Sequence, residues 1–310
     1  MTAAAPNVLD SIGNTPLIRL TKLPPSNSAE VWAKWEGANP TGSMKDRMAL
    51  SMIEGAEGRG DLRPGWRVVE YTGGSTGSSL ALVCAAKGYR AHFVSSDAFA
   101  EEKLRTMRAF GATVELIPSQ HRKITKELIA SLVARARELA SEPETYWTDQ
   151  FNNPDNRKGY HGMAEEILRQ TGGGVDAFVM AAGTGGCFSG NAEVLKERVS
   201  GIRCVAVEPA SSRHLSGGEI GAHRIEGIGP GFVPKGMRTD LVDRVVPVSS
   251  EDAQATARAL AVREGVFAGI SSGANVHASL QLAKELGPGR RVVTVLADSG
   301  LKYLQGDLFA

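Results

Sequence analysis

Cysteine is scarce in this chain. The 310 residues hold three, Cys84, Cys187 and Cys204, too few and too scattered for a disulfide framework or a zinc site. The six histidines, His92, His121, His161, His214, His223 and His277, show no metal-ligand spacing, so no metal is expected. An excess of one charge sign is missing too. The 35 basic and 34 acidic residues leave a net charge of +1, without the footprint that nucleic acid or an anionic membrane would select. The longest basic cluster, His121-Arg122-Lys123, reads as a solvated turn or helix start. No stretch approaches the ~20 apolar residues of a membrane span. The opening Met1-Thr2-Ala3-Ala4-Ala5-Pro6 has neither the charged nor the apolar region of a secretory signal. A cytoplasmic protein is the expectation. Aromatic residues make up 6%, and Trp32, Trp35, Trp66 and Trp147 read as core or interface.

What is present is ordinary globular composition, 42% hydrophobic and 22% charged. At ~100–200 residues per domain, the length predicts two domains. There is no internal repeat and no low-complexity linker; β-rich runs alternate with helical stretches. Strands are expected at Trp66–Tyr71, Ala91–Ser96, Thr113–Ile117, Ala177–Met180, Arg203–Val207 and Arg291–Leu296. Helices are expected at Ser78–Lys87, Ala100–Phe110 and Ser189–Arg198. Such alternation predicts an α/β fold with mostly parallel sheets covered by helices on both faces. Ligands then bind beyond the carboxyl ends of the strands, where the glycine loops fall.

Two of those loops carry chemistry. Gly183, Gly185, Gly186 and Gly190 follow an apolar strand and precede a helix. Without side chains their amides can close on an anion, aided by the partial positive charge of the helix N-terminus. The loop has no lysine, so it is no Walker loop, and Phe188 stands where a dinucleotide fingerprint needs glycine. A tight turn is the competing reading. Lys45 lies in Asn39-Pro40-Thr41-Gly42-Ser43-Met44-Lys45-Asp46-Arg47, a sharply turning loop with Ser43 as candidate N-cap. Most lysines are solvated charges; one held at a helix start, with a phosphate loop downstream, is what binding pyridoxal phosphate requires.

Seven segments in order resemble the cysteine synthase and cystathionine β-synthase family, pyridoxal-phosphate enzymes of the tryptophan-synthase-β fold type. They are Ile12–Leu17, Asn39–Arg47, Gln150–Asn156, Gly183–Gly186, Gly227–Pro234, Gly269–Gly273 and Ala297–Leu304. The resemblance implies two three-layer α/β/α domains with the cofactor in the cleft between them. A smaller mobile domain would span 40–152, and a larger cofactor-binding one 1–39 plus 153–310. It implies Lys45 as the Schiff-base residue and as the base for the α-proton. It implies cofactor contacts from Ser75, Gly183, Thr184, Gly185, Gly186 and Cys187, and Ser271 opposite the ring nitrogen. Substrate contacts would come from Thr72, Gly73, Gly74, Ser75, Thr76, Gln150 and Gly227. A homodimer acting on a small amino acid is implied as well. A neutral hydroxyl at Ser271 would favour β-elimination followed by addition of a nucleophile.

The chain departs from the family around the amino acid. Thr72-Gly73-Gly74-Ser75-Thr76-Gly77 stands where Thr-Ser-Gly-Asn-Thr-Gly is usual. Ser75 is shorter than asparagine, and Gly73 removes a hydroxyl, which is expected to open space beside the substrate. Cys187 replaces a threonine and reads as a buried structural thiol, with Thr184 and Ser189 left as hydroxyl contacts to phosphate. The stretch Ser95–Lys103 also differs from the family. O-acetyl-L-serine with sulfide is the expected pair. Alternatives are homocysteine as nucleophile, O-phosphoserine as substrate, a nucleophile giving a non-protein amino acid, or a non-catalytic regulator.

Overall fold

The alternation builds two sheets in the computed structural model, which describes residues 5–310. The first four residues of the segment read above for a secretory signal lie outside that range. In chain order the elements are β1 (Leu17–Leu20), β2 (Glu30–Trp35), α1 (Lys45–Arg59), β3 (Arg67–Tyr71), α2 (Ser75–Lys87) and β4 (Arg90–Ser96). Then follow α3 (Glu101–Ala109), β5 (Thr113–Ile117), α4 (Lys126–Ala140), β6 (Thr145–Trp147), α5 (Pro154–Lys158), α6 (His161–Thr171) and β7 (Ala177–Ala181). The chain continues through α7 (Gly186–Arg198), β8 (Arg203–Pro209), β9 (Arg244–Val248), α8 (Ser250–Ala259), α9 (Ile270–Leu286) and β10 (Arg291–Leu296).

One sheet has the order β5-β4-β3-β6 and is parallel throughout. The other has the order β1-β2-β10-β7-β8-β9 and is parallel except for β1, which runs against β2. The inner strands read as unbroken apolar runs because helices cover both faces; all five residues of β7 are buried. One continuous core joins the sheets: Met48 and Met52 of α1, Leu80 of α2, Phe93 of β4, Phe178 of β7, Phe188 of α7 and Val293 of β10. Helix α4 closes the far face of the four-stranded sheet, with Leu128 and Leu132 on Val69 and Val94. Helices α8 and α9 close the far face of the six-stranded sheet.

The expected strands fall within a residue or two of their predicted bounds, but two helices begin earlier than the sequence suggests. Helix α2 starts at Ser75 instead of Ser78, and α7 at Gly186 instead of Ser189. In both cases residues beside a glycine run read as loop, yet Ser75–Gly77 and Gly186–Phe188 already form the first helical turn. The expected N-cap is also displaced. Met44 occupies the cap of α1, and Ser43 Oγ accepts the Lys45 N–H at 3.3 Å.

Candidate active site

The predicted loops all emerge at the carboxyl edges of the two sheets. Lys45 opens α1, directly after the turn that follows β2. Its loop is bonded on both sides: Met44 N–H donates to the Ala297 carbonyl at 2.8 Å, and Ser299 N–H donates to the Gly42 carbonyl at 2.9 Å. Thr41 folds back on Asp46, donating its N–H at 2.8 Å and its hydroxyl at 2.5 Å. The half-buried Lys45 side chain loses water around its ammonium, and this holds its pKa below the ordinary lysine value despite the opposing pull of Asp298. A neutral amine is thereby favoured, the form that can take a proton.

Beneath this loop lies a buried ionic network that the sequence reading did not find. Arg47 Nε and Nη2 donate to the Glu36 carboxylate at 2.7 and 2.9 Å, while Nη1 and Nη2 reach Glu166, both at 2.8 Å. Lys34 Nζ sits 2.6 Å from Glu166. Thr15 and Asn39 donate to Glu36, Asn14 N–H donates to Glu166, and Gly13 N–H donates to Asn39. The Ile12–Leu17 motif and the lysine motif therefore form one structure. Two motifs sharing a charge demand was the only available signal.

The glycine loop after β7 is cut to fit close neighbours. A Cβ on Gly183 would lie 2.3 Å from the Gly227 carbonyl oxygen, and one on Gly186 would lie 2.0 Å from Asn156 Oδ1. Gly185 caps α7 at φ +81°, and a Cβ there would lie 2.7 Å from Met237. The amides of Gly186, Cys187 and Phe188, in the first turn, have no backbone acceptor among the described residues. Thr184 Oγ1 accepts from Asn156 at 3.1 Å and keeps its proton to donate. Ser189 is the exception to the expected donor set. Its oxygen accepts the Arg238 N–H at 2.9 Å inside the core, so it is not turned to the loop. Cys187 is buried, and burial pushes its thiol up to about 12, consistent with an inert packing role.

The Thr72–Thr76 loop leaves β3 and runs into α2. Thr72 Oγ1 accepts the N–H groups of Gly74 and Gly77 at 3.3 and 3.2 Å, and so shapes the loop from within. Thr76 donates its hydroxyl to Gln150 Oε1 at 2.8 Å, joining two expected substrate residues to each other. The expected space at Gly73 does not exist. A Cβ there would lie 2.3 Å from two carbons of the Phe99 ring, which fills the position. Phe99 was invisible as a neighbour because 26 residues separate it from Gly73.

Under the loop sits Glu70, fully buried on β3. Its carboxylate accepts from Thr148 Oγ1 at 2.6 Å, Gln150 N at 2.9 Å, Tyr71 N at 3.0 Å and Trp147 Nε1 at 3.4 Å. Burial drives it up from 4.5 to about 7 in spite of these donors. A carboxyl raised in the native state binds its proton more tightly there than in the unfolded chain. Native stability therefore falls as pH rises from about 4.5 to about 7, by at most about 3 kcal/mol, and is level above that. Glu70→Gln is expected to flatten this slope, measured as denaturant midpoints between pH 4.5 and 8.

Ser271 lies in the first turn of α9, one turn before Asn275, so it is not the cap, which is Gly269. Asn275 ties that turn to the large sheet, accepting the Ala181 N–H at 2.8 Å and donating to the Val295 carbonyl at 2.7 Å. Nearby, Tyr303 donates to Asp298 Oδ2 at 2.7 Å, while buried Asp298 Oδ1 has no partner among the described residues. Lys103 of α3 lies over the Tyr303 ring and pairs with Glu226, next to the expected loop residue Gly227. His161 pairs with Glu193, and His223 bonds the Gly229 carbonyl. Among the described residues no group of acidic, histidine and cysteine side chains could hold a metal, and no helix is long and apolar enough to cross a membrane.

Residues 8–298 match the family described as pyridoxal-phosphate dependent enzyme. The chain is 42% identical to a cysteine synthase of Staphylococcus aureus over 306 residues, 98% of this chain and 97% of that one. Its structure resembles that of O-ureido-L-serine synthase, with a TM-score of 0.93 at 37% identity over 99% of this chain and 96% of that chain. It also resembles the O-acetylserine dependent cystathionine beta-synthase of Helicobacter pylori, with a TM-score of 0.92 at 36% identity over the whole of both chains.

Proposed function

The chain belongs to the pyridoxal-phosphate-dependent enzymes, of the cysteine synthase type, and from this we propose that it replaces the β-substituent of an O-activated L-serine, with O-acetyl-L-serine and sulfide as the leading pair. The observation that carries the reading is the convergence of Lys45, the glycine cradle of α7, the start of α9 and the Thr72–Thr76 loop at the carboxyl edges of the two sheets. The residues suit the cofactor: a helix-start cradle closed to any Cβ takes a phosphate, and a desolvated lysine amine faces the same edge. When bound, pyridoxal phosphate draws electrons from the α-carbon, so that a β-substituent can leave and another nucleophile can enter.

In this reading the amides of Gly183–Cys187 and the Thr184 hydroxyl would hold the phosphate, and Ser271 would serve the ring nitrogen. The amides of Ser75 and Thr76, at the start of α2 and without a backbone acceptor among the described residues, hold the substrate carboxylate, with Gln150 and Thr76 fixing each other beside it. Ser75 replaces the family's asparagine, and Gly227 closes the site over Gly183. Lys45 takes the α-proton and returns it, helped by desolvation that holds its pKa below the ordinary lysine value. A smaller mobile domain around the four-stranded sheet (40–152), a homodimer and a cytoplasmic setting belong to the same reading, supported by the family resemblance.

A second reading keeps the chemistry and changes the substrates. Phe99 seated on Gly73 favours it, because the amino-acid loop has lost a hydroxyl and gained an aromatic neighbour. Titrating O-acetyl-L-serine into the holoenzyme, followed by visible absorbance, separates the two. A shifted cofactor band supports O-acetyl-L-serine as the activated substrate and leaves the nucleophile to be found, and a band that stays put points to another activated serine. Absence of any cofactor band with added pyridoxal phosphate would defeat both.

A further inference from the structure

The two stretches that depart from the family, Gly73 with Ser75 and Ser95–Lys103, are one unit in space. Ser95 Oγ donates to the Thr72 carbonyl at 2.8 Å, and Thr72 N–H donates to the Val94 carbonyl at 3.0 Å. Phe99 N–H donates to the Ser96 carbonyl at 3.2 Å, and Asp97 is anchored by the Ser119 N–H at 2.8 Å. This bonding delivers the half-buried Phe99 ring onto Gly73, where a Cβ would lie 2.3 Å from Cδ1 and Cε1. The neighbouring Gly74 is covered by the methylene stem of Lys103, 3.2 Å from an added Cβ. A side chain at position 73 would point where the ring now lies, so the ring stands in for it.

Resting on the β-replacement reading with O-acetyl-L-serine, but replacing sulfide as its nucleophile, we propose that Gly73 and Phe99 are a matched pair that puts an aromatic wall where a side-chain hydroxyl would be, and that this wall selects a nucleophile with an apolar body, an alkyl or aryl thiol, over hydrosulfide. The reaction balances without any oxidant or reductant. The C–O bond to acetate breaks with its electron pair going to the oxygen, a C–S bond forms from the thiol sulfur, and the thiol proton leaves with the acetate. Hydrosulfide has no apolar surface for the ring to cover, whereas a carbon-bearing thiol does.

The test uses holoenzyme with O-acetyl-L-serine and either hydrosulfide or benzenethiol. Phe99→Ala is expected to lower kcat/KM for benzenethiol roughly tenfold more than for hydrosulfide. Gly73→Ser, which must push the ring aside, moves the ratio the same way. The double variant moves it no further, because both changes remove one feature. Phe99→Leu, which keeps apolar volume, falls between Ala and the parent. Unfolding midpoints give a readout apart from activity: Gly73→Ser costs stability in the parent and much less beside Phe99→Ala. A ratio unmoved by Phe99→Ala, additive effects in the double variant, or an equal stability cost in both backgrounds would overturn the pairing. A parent enzyme that turned over neither nucleophile would instead remove O-acetyl-L-serine as its substrate, and this proposal with it.

Discussion

Lys45→Ala is expected to slow β-replacement by about three to four orders of magnitude and to abolish the absorbance of covalently held cofactor. Cofactor anchored through the glycine cradle should still co-purify in part, because that cradle is built by β7 and α7 and does not involve Lys45. Lys45→Arg is expected to be nearly as inactive, even though it keeps the charge. A guanidinium does not give up its proton at any working pH, whereas desolvation holds the lysine below its ordinary value. Single-turnover rates and spectra of the three proteins check this. If the arginine variant turned over at a tenth of the parent rate or faster, Lys45 would not be the proton carrier.

Arg47→Met is expected to cost about 3–5 kcal/mol of stability, because it leaves buried Glu36 and Glu166 facing each other without their shared cation. In calorimetry this should appear as a drop of roughly 5–8 °C in the unfolding midpoint. Arg47 spans both carboxylates with four bonds between 2.7 and 2.9 Å. Lysine cannot reproduce that fork, so Arg47→Lys should recover only part of the loss. The network also carries a pH signature. Burial alone would raise Glu166, but the Arg47 bonds and charge, followed by Lys34, hold it at about 2. A depressed carboxyl contributes stability that is present above its unfolded pKa and lost as pH falls toward the folded one. The parent should therefore lose stability between about pH 4.5 and pH 2, and Arg47→Met should lose less over that range. Turnover should fall as well, since Arg47 fixes the helix turn that presents Lys45.

Much of the fold was legible because strands and turns follow local rules. Apolar runs such as Ala177–Ala181 announce strands buried on both faces, and Gly183–Gly186 announces a backbone that must approach something closely. The same local rules failed at the helix starts. Glycine lowers helix propensity, so Ser75–Gly77 and Gly186–Phe188 read as loop although tertiary packing makes them helix. Ser189 failed for another reason. A hydroxyl near a phosphate loop looks like a donor to it, but the helical turn aims it into the core, where it serves the Arg238 amide.

The sequence by itself determined the alternating α/β architecture, the glycine positions that only close backbone approach explains, and, through seven ordered motifs, the cofactor family. Only the tertiary structure decided which side chains meet. Arg47 joins a carboxylate 119 residues away, Glu70 collects the Thr148 hydroxyl and the Gln150 amide, and Phe99 takes the place that Gly73 vacates. The reason is physical. Periodicity and turn chemistry act over a few residues and are written in neighbours along the chain. Desolvation, ion pairing and the shape of an empty space depend on surfaces brought together by packing, and no local pattern records which surfaces those will be.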